Sequence, residues 1–247
     1  MQLHLKTWTD VESYLQKSQG IIIPIGSTEQ HGPNGLIGTD AICAEVVGNR
    51  VGELAGALVA PTIAVGMAQH HLAFAGSMTL RPSTLIAVVR DNVLSLARHG
   101  FRRFYFVNGH GGNIATVTAA FSEIYAETSM ERGGNQPSLK CRLKNWWEAP
   151  AVKSLSRELY GNSEGSHATP SEVSMTWHAY PEAARPMTMD PPIAPNGDFA
   201  DAEDYRRTFP DGRIGSNPGL ATAEAGARFL SVSAEFLAKD YNDWLAR

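Results

Sequence analysis

Twice in this chain a strand-like run breaks directly into a glycine-rich loop that carries metal-ligand side chains. The first run, Ile21-Ile22-Ile23-Pro24-Ile25, opens into Gly26-Ser27-Thr28-Glu29-Gln30-His31-Gly32-Pro33 and closes at Gly38-Thr39-Asp40. The second, Arg103-Phe104-Tyr105-Phe106-Val107, opens into Asn108-Gly109-His110-Gly111-Gly112-Asn113. Helical patterns alternate with such runs, and that alternation is the mark of an open α/β sheet with covering helices. Strands are expected at Gly20–Ile25, 57–60, 103–107 and 138–146, and helices at 40–54, 83–99, 113–127, Pro170–Ala179 and 222–244. Arg81-Pro82-Ser83-Thr84 starts the second of these helices and Gly100 ends it. The stretch 181–218, rich in Pro, Gly and Asp, reads as a long irregular excursion, of the kind that is usually functional or interfacial. It is not a domain boundary, so one domain is expected over 1–247.

The loops carry the chemistry. In extended chain every second side chain points the same way, so Glu29 and His31 can face one side together. The glycines at 26, 32, 35 and 38 let the backbone turn and bring Asp40 back beside them. Two carboxylates and an imidazole at a strand's end read as a divalent-metal site. Ligands of parallel sheets bind beyond the carboxyl ends of strands, and His110 lies there too if the two strands are neighbours. A third cluster, Glu164-Gly165-Ser166-His167-Ala168-Thr169-Pro170-Ser171-Glu172, offers His167 as a proton shuttle near neutral pH. Glu172 is either a ligand or a first-turn carboxylate favoured by the helix dipole. His71, in His70-His71-Leu72-Ala73-Phe74-Ala75-Gly76, is a candidate to touch substrate or support a ligand. His70 is assigned a structural or solvated place. Plainer readings compete: Thr39 or Asp40 as a helix N-cap, His167 as a surface-loop histidine, and Asn108–Asn113 as a phosphate cradle at a helix start. The last lacks the lysine of a P-loop and the glycine spacing of a dinucleotide fingerprint.

Composition narrows the field. The 247 residues are 43% hydrophobic and 19% charged with a formal net charge of −4, and no basic block accompanies them, so nothing favours nucleic acid. No apolar run approaches the roughly 20 residues needed to cross a bilayer, and the first ten residues lack the apolar core of a secretory signal. Cys43 and Cys141 form neither a paired zinc motif nor a disulfide framework, which points to buried thiols in a reducing compartment, the cytoplasm.

Taken together, Gly-Ser-Thr-Glu29-Gln-His31-Gly-Pro, Gly-Thr-Asp40, His71 with its Phe-Ala-Gly-Ser turn, Asn-Gly-His110-Gly-Gly-Asn, and His167 with Glu172 resemble the creatininase family of metal-dependent amidohydrolases. The matching motifs run over about residues 20–180, in the family's order. The resemblance implies a three-layer α/β/α sandwich with a mainly parallel central sheet, and hydrolysis of a non-peptide amide, cyclic amide or formamide bond in a small polar metabolite. It implies two divalent ions, with Glu29, His31, Asp40 and His110 as ligands, Asp40 bridging, and Glu172 completing the shell. Zinc and manganese both suit such a mixed imidazole and carboxylate set, and iron is possible. His167 matches the family's proton-transfer histidine, and Trp147 aligns with an active-site tryptophan. A homo-oligomer, a hexamer in creatininase itself, is also implied. One position departs: creatininase has a ligand glutamate two residues after the histidine of Asn-Gly-His, where this chain has Gly112. The Asn-Gly-His-Gly-Gly-Asn form is more similar to relatives acting on other substrates, such as formamide hydrolases of pyrimidine intermediates and the mycofactocin peptidase. The rival reading is a non-catalytic protein that binds a metal or a phosphate metabolite on the same scaffold.

Overall fold

The structure is a computed structural model that describes residues 1–130 and 138–247. In chain order it contains α1 (Trp8–Leu15), β1 (Gly20–Ile25), α2 (Thr39–Ala55), β2 (Leu58–Val59), α3 (Pro82–Arg98), β3 (Arg103–Asn108), α4 (Asn113–Met130) and β4 (Lys140–Asn145). Then follow α5 (Pro150–Tyr160), α6 (Pro170–Ala179), α7 (Ala202–Thr208) and α8 (Ala223–Leu245). The four strands are all parallel, in the order β2-β1-β3-β4.

Alternation along the strands divides the core into two layers of contact. Ile21, Ile23, Ile25, Phe104 and Phe106 pack with Leu85, Val89 and Val93 of α3 and with Val117, Phe121 and Ile124 of α4. Ile22, Tyr105 and Val107 turn the other way, toward Val47 and Val51 of α2 and Phe229, Leu237 and Tyr241 of α8. The result is the expected three-layer α/β/α sandwich. Handedness explains which helix covers which face. The β1-to-β2 crossover moves one way across the sheet and the β2-to-β3 crossover returns past β1, so two right-handed connections place α2 and α3 on opposite faces. The loops leaving β1 and β3 therefore diverge and open a crevice between them, where such sheets bind ligands. Ile25, Asn108 and Asn145 are register partners, so the three strands end level beneath that crevice.

The expected strands and helices are all present, Gly20–Ile25 and Pro170–Ala179 with the expected bounds and the others with ends shifted by at most three residues. Three helices lie where no helix was expected. α1 is held by a capping box at Thr7 and Asp10. α5 begins with Pro150 and ends at Gly161, with Val152, Leu155 and Tyr160 buried. α7 lies inside the 181–218 excursion, which is thus only partly irregular; Asp201 caps it by accepting from the Asp204 amide. Among the described residues no helix is long and apolar enough to cross a membrane. Cys43 is buried and Cys141 half-buried, and both are free thiols.

Candidate metal centre

The β3 loop is drawn against α2 by the lack of a side chain at Gly109. A Cβ there would lie 2.1 Å from the Asp40 carbonyl oxygen, so only glycine lets the two backbones meet. His110 is thereby carried to Asp40. Two buried asparagines lock the arrangement. Asn108 Nδ2 donates to the carbonyl of His110 (2.6 Å) and to Asn145 Oδ1 (2.8 Å), while Asn113 Nδ2 donates to Gly26 O (3.0 Å). The Asn108-to-Asn113 loop consequently spends amides on itself: His110 N donates to Asn108 Oδ1, Asn113 N to His110 O and Ile114 N to Gly111 O. That is not the open row of amides a phosphate cradle requires.

Asp40 stands at the middle of the cluster, 3% exposed, with its two carboxylate oxygens facing different imidazoles. Oδ1 is 3.0 Å from His31 Nε2, and Oδ2 is 2.9 Å from His110 Nδ1. A second carboxylate backs each imidazole. Glu172 Oε1 lies 3.9 Å from His31 Nε2, and Glu29 Oε2 lies 3.3 Å from His110 Nε2. Ligand atoms of Glu29, Asp40 and His110 all lie within 4.8 Å of one another, as do those of His31, Asp40 and Glu172 and those of Glu29, His31 and His167. The outer nitrogens of both histidines meet backbone carbonyls: His31 Nδ1 that of Glu29 (3.0 Å) and His110 Nε2 that of Met67 (3.1 Å). Because a carbonyl only accepts, those nitrogens carry the protons, and His31 Nε2 and His110 Nδ1 are left facing Asp40. Metal-binding histidines are usually oriented this way.

The electrostatics call for positive charge at this spot. Burial by itself would lower both imidazoles, yet Asp40, Glu172 and Glu29 raise His31 to about 10, and Glu29 and Asp40 raise His110 to about 9. Burial opposes ionisation of Asp40, but the two imidazoles hold it well below the usual carboxylate range. Burial, helped by the Asp40 charge, pushes Glu172 up to about 7. Even so, both oxygens of Glu29 and Oδ2 of Asp40 are buried without a properly oriented hydrogen-bond donor. Buried carboxylate oxygens are costly unless paired or coordinated to a metal. Orphaned oxygens, imidazoles steered from behind and a carboxylate set between two imidazoles together fit divalent-cation binding.

The remaining predicted residues fall in three places. Glu172 is in the ring and also closes the capping box of α6: its Oε1 accepts from the Thr169 amide at 2.5 Å while its own amide donates to Thr169 Oγ1. The two readings of this residue are thus geometrically compatible. His167 Nε2 donates to the Gln30 carbonyl (2.9 Å), and Nδ1 points into the site, 3.9 Å from Glu29 Oε1. Burial and the neighbouring imidazoles keep His167 well below the ordinary histidine value, so it is neutral with Nδ1 bare. His71 lies behind Glu29 rather than on a substrate wall. Its Nε2 is 3.0 Å from Glu29 Oε1, its Nδ1 is 2.9 Å from Gln30 Nε2, and it is 1% exposed. His70 stacks on Phe199 at 5.0 Å.

Gln30 is the residue that sequence reasoning passed over. Its amide nitrogen is also 2.9 Å from His167 Nε2, but its two protons are taken by His71 Nδ1 and by Gly212 O at 2.9 Å. Tyr205 of α7 donates to the same Gly212 carbonyl. The 181–218 excursion therefore braces both histidines from behind. An amide has no ligand chemistry of its own, and its partners lie 41 and 182 residues away. No local signal could have revealed it.

A cavity of about 600 Å³ opens beside the cluster, lined by Asp40, His110, His167 and Glu172 together with Trp147 and residues of α5. Trp146 and Trp147 lie in a short 3-10 turn (Trp146–Glu148) just past β4, the first buried at 1% exposure and the second half-buried. Gly112 leaves no room for a glutamate. A Cβ at this position would lie 2.4 Å from His110 Nε2 and 2.6 Å from Met67 O.

The fold and site define a protein with a carboxylate and imidazole centre at the strand ends of a three-layer α/β/α sandwich. Residues 4–240 match the family described as creatininase, creatinine amidohydrolase, and the chain belongs to that hydrolase family. Over 242 residues it is 29% identical to the mycofactocin precursor peptide peptidase of Mycobacterium tuberculosis, covering 92% of this chain and 86% of that protein. The creatinine amidohydrolase of Pseudomonas putida is 26% identical over 94% of this chain and 92% of its own length. A peptidase of the same description from Mycobacterium ulcerans is 39% identical over 116 residues, a match spanning 46% of that protein's length. A solved creatininase superposes with a TM-score of 0.86 over 100% of this chain and 98% of its own, at 23% identity.

Proposed function

We propose that this protein is a hydrolase of a C–N bond in a small polar molecule, of the non-peptide amide, cyclic amide or formamide class, working through a binuclear metal centre. The observation that carries the reading is Asp40, which presents one oxygen to each of two imidazoles, each with its own second carboxylate. Glu29, Asp40 and His110 would hold one ion and His31, Asp40 and Glu172 the other. Zinc or manganese suits this donor set, and solved creatininases include a manganese form and a Zn–Zn form. Ions bound there supply Lewis-acid polarisation of the scissile carbonyl and a nucleophile at neutral pH.

The chain's own residues would then supply positioning and proton transfer. His167, neutral, receives a proton at Nδ1 and returns it to the departing nitrogen, which is a very poor leaving group as an amide anion. The Gln30 carbonyl holds the opposite proton on Nε2 and so keeps Nδ1 available. His71 backs the Glu29 carboxylate, and Trp147 forms part of the cavity wall. Trp147 and the cavity wall, rather than His71, are placed to meet the substrate. A cavity of about 600 Å³ suits a small metabolite, although the mycobacterial relatives named as peptidases make a peptide bond the alternative. We further propose that the chain acts as one domain in a cytoplasmic homo-oligomer.

Elemental analysis tests the centre directly. Wild-type protein should carry close to two divalent ions per chain. Asp40→Ala should carry neither, because the bridging carboxylate contributes to both, and Glu172→Gln should weaken one ion alone. Full metal occupancy in Asp40→Ala would overturn the binuclear assignment. Zinc- or manganese-loaded protein that hydrolyses no formamide or cyclic amide across a metabolite panel would return the chain to a binding role.

A further inference from the structure

The cavity has a second chemical character on the wall formed by α5. Lys153, Ser156 and Arg157 all line it, at spacings of three and four residues that place them on one helix face. Both cations are exposed, and among the described residues neither forms an ion pair. The nearby Glu158 is committed elsewhere, to Arg228 of α8 at 2.8 Å. The carboxylates inside the cavity do not neutralise the pair either. Asp40 and Glu172 face His31, and Glu164 accepts a hydrogen bond from Ser171. Among the residues lining the cavity, Lys153 and Arg157 are the only fixed cations. They line the same hollow as the carboxylate and imidazole cluster, in a protein whose net charge of −4 would otherwise repel an anion.

We propose that the substrate is acidic, with a carboxylate or phosphate monoester held by Lys153 and Arg157 while its amide carbonyl lies at the Asp40, His110 and His167 end. The proposal rests on the hydrolase reading only for what happens at that inner end. The guanidinium fork matches two oxygens of an oxyanion, and the ammonium adds a movable point charge. A neutral substrate would leave both cations facing the cavity without a function.

Calorimetry on the metal-loaded protein tests this without requiring turnover. The probes are glutarate, inorganic phosphate and the neutral glutaramide. We expect wild-type protein to bind one or both anions, more weakly as salt is raised. Lys153→Gln/Arg157→Gln should weaken that binding by about tenfold or more and leave glutaramide unaffected. Whichever anion shows the larger loss identifies the group as carboxylate or phosphate. Both positions are exposed on a helix, so the variant should fold, and unchanged metal content checks that it does; Lys153→Met/Arg157→Met repeats the test with different side chains. Equal anion affinity in wild type and both variants, or no anion binding by wild type, would sink the proposal. Loss of anion binding in a protein that hydrolyses nothing would leave the anion site standing and remove the hydrolase reading. Hydrolysis of N-acyl amino acids with an unchanged KM in the variants would do the reverse.

Discussion

Asp40 and His167 make opposite demands on their surroundings. Asp40 has to stay ionised, and two imidazoles within 3.0 Å hold it so. As the proposed proton carrier His167 would have to stay neutral until the reaction supplies a proton, and burial beside other imidazoles, which holds its pKa well below the ordinary value, favours that form. Such divergence between neighbouring titratable groups is what the proposed division into a ligand and a proton carrier requires. If His167 carries the proton, His167→Ala should keep its metal and lower turnover by about 10²–10⁴-fold. The loss should appear in kcat as well as kcat/KM, and should shrink for a substrate whose leaving group needs no proton. Steady-state kinetics beside metal analysis checks this; a variant that loses metal would make His167 a ligand. Gly112 belongs to the same scale. The backbone at this position has no space for a side chain, and the carboxylate that stands beside His31 is that of Glu172 on α6 instead.

At the level of elements, α8 is tied to the sheet beneath the site by one carboxylate. Asp240 accepts from Tyr105 of β3 at 2.9 Å and from Arg142 of β4 at 3.1 Å, with Lys144 at 3.5 Å. Burial acts against its ionisation, but the Tyr105 and Arg142 bonds and the two cations hold its pKa below the ordinary value. A carboxylate depressed in the folded state stabilises the protein above its unfolded pKa of about 4, and that contribution fades as pH falls through the folded value. Asp240→Asn should therefore cost about 1 kcal/mol at neutral pH, the modest figure reflecting its partial exposure. The difference from wild type should shrink as pH drops below about 4. Denaturant titrations at pH 7 and pH 3 check the sign, and a gap that widens in acid would refute it.

For the whole molecule, the 181–218 excursion reaches across to the back of the metal centre, where Tyr205 and the Gly212 carbonyl meet Gln30. A long loop committed in this way makes the site depend on the entire chain. The surface also carries large apolar side chains in the open, including Trp8 at 73% and Leu5 at 71% exposure. Burial of such residues between copies favours association. Light scattering at working concentration should show a particle larger than one 26.7 kDa chain, and a stable particle of that mass would exclude the homo-oligomer.

Much of the centre was legible in the amino-acid sequence because its parts are local. β1 and its loop place Glu29, His31 and Asp40 within twelve residues, and a strand ending in Asn-Gly-His announces His110 at a second strand end. Parallel-sheet physics then puts both loops in one crevice. α5 was also written in the chain, as Pro150 at a helix start and Gly161 at its end with buried Val152 and Leu155 between them, although the stretch was read without a helix. The tertiary structure alone decided the rest. The role of Gln30, the place of His71 behind Glu29 and the facing of Lys153 and Arg157 onto the cavity depend on contacts between segments far apart in sequence. A hydrogen bond or an ion pair depends on distance and angle in space, and neither is set by local periodicity. Hence the candidate ligands could be named from the sequence, but the groups that orient them and the wall of the cavity appear only once the chain is folded.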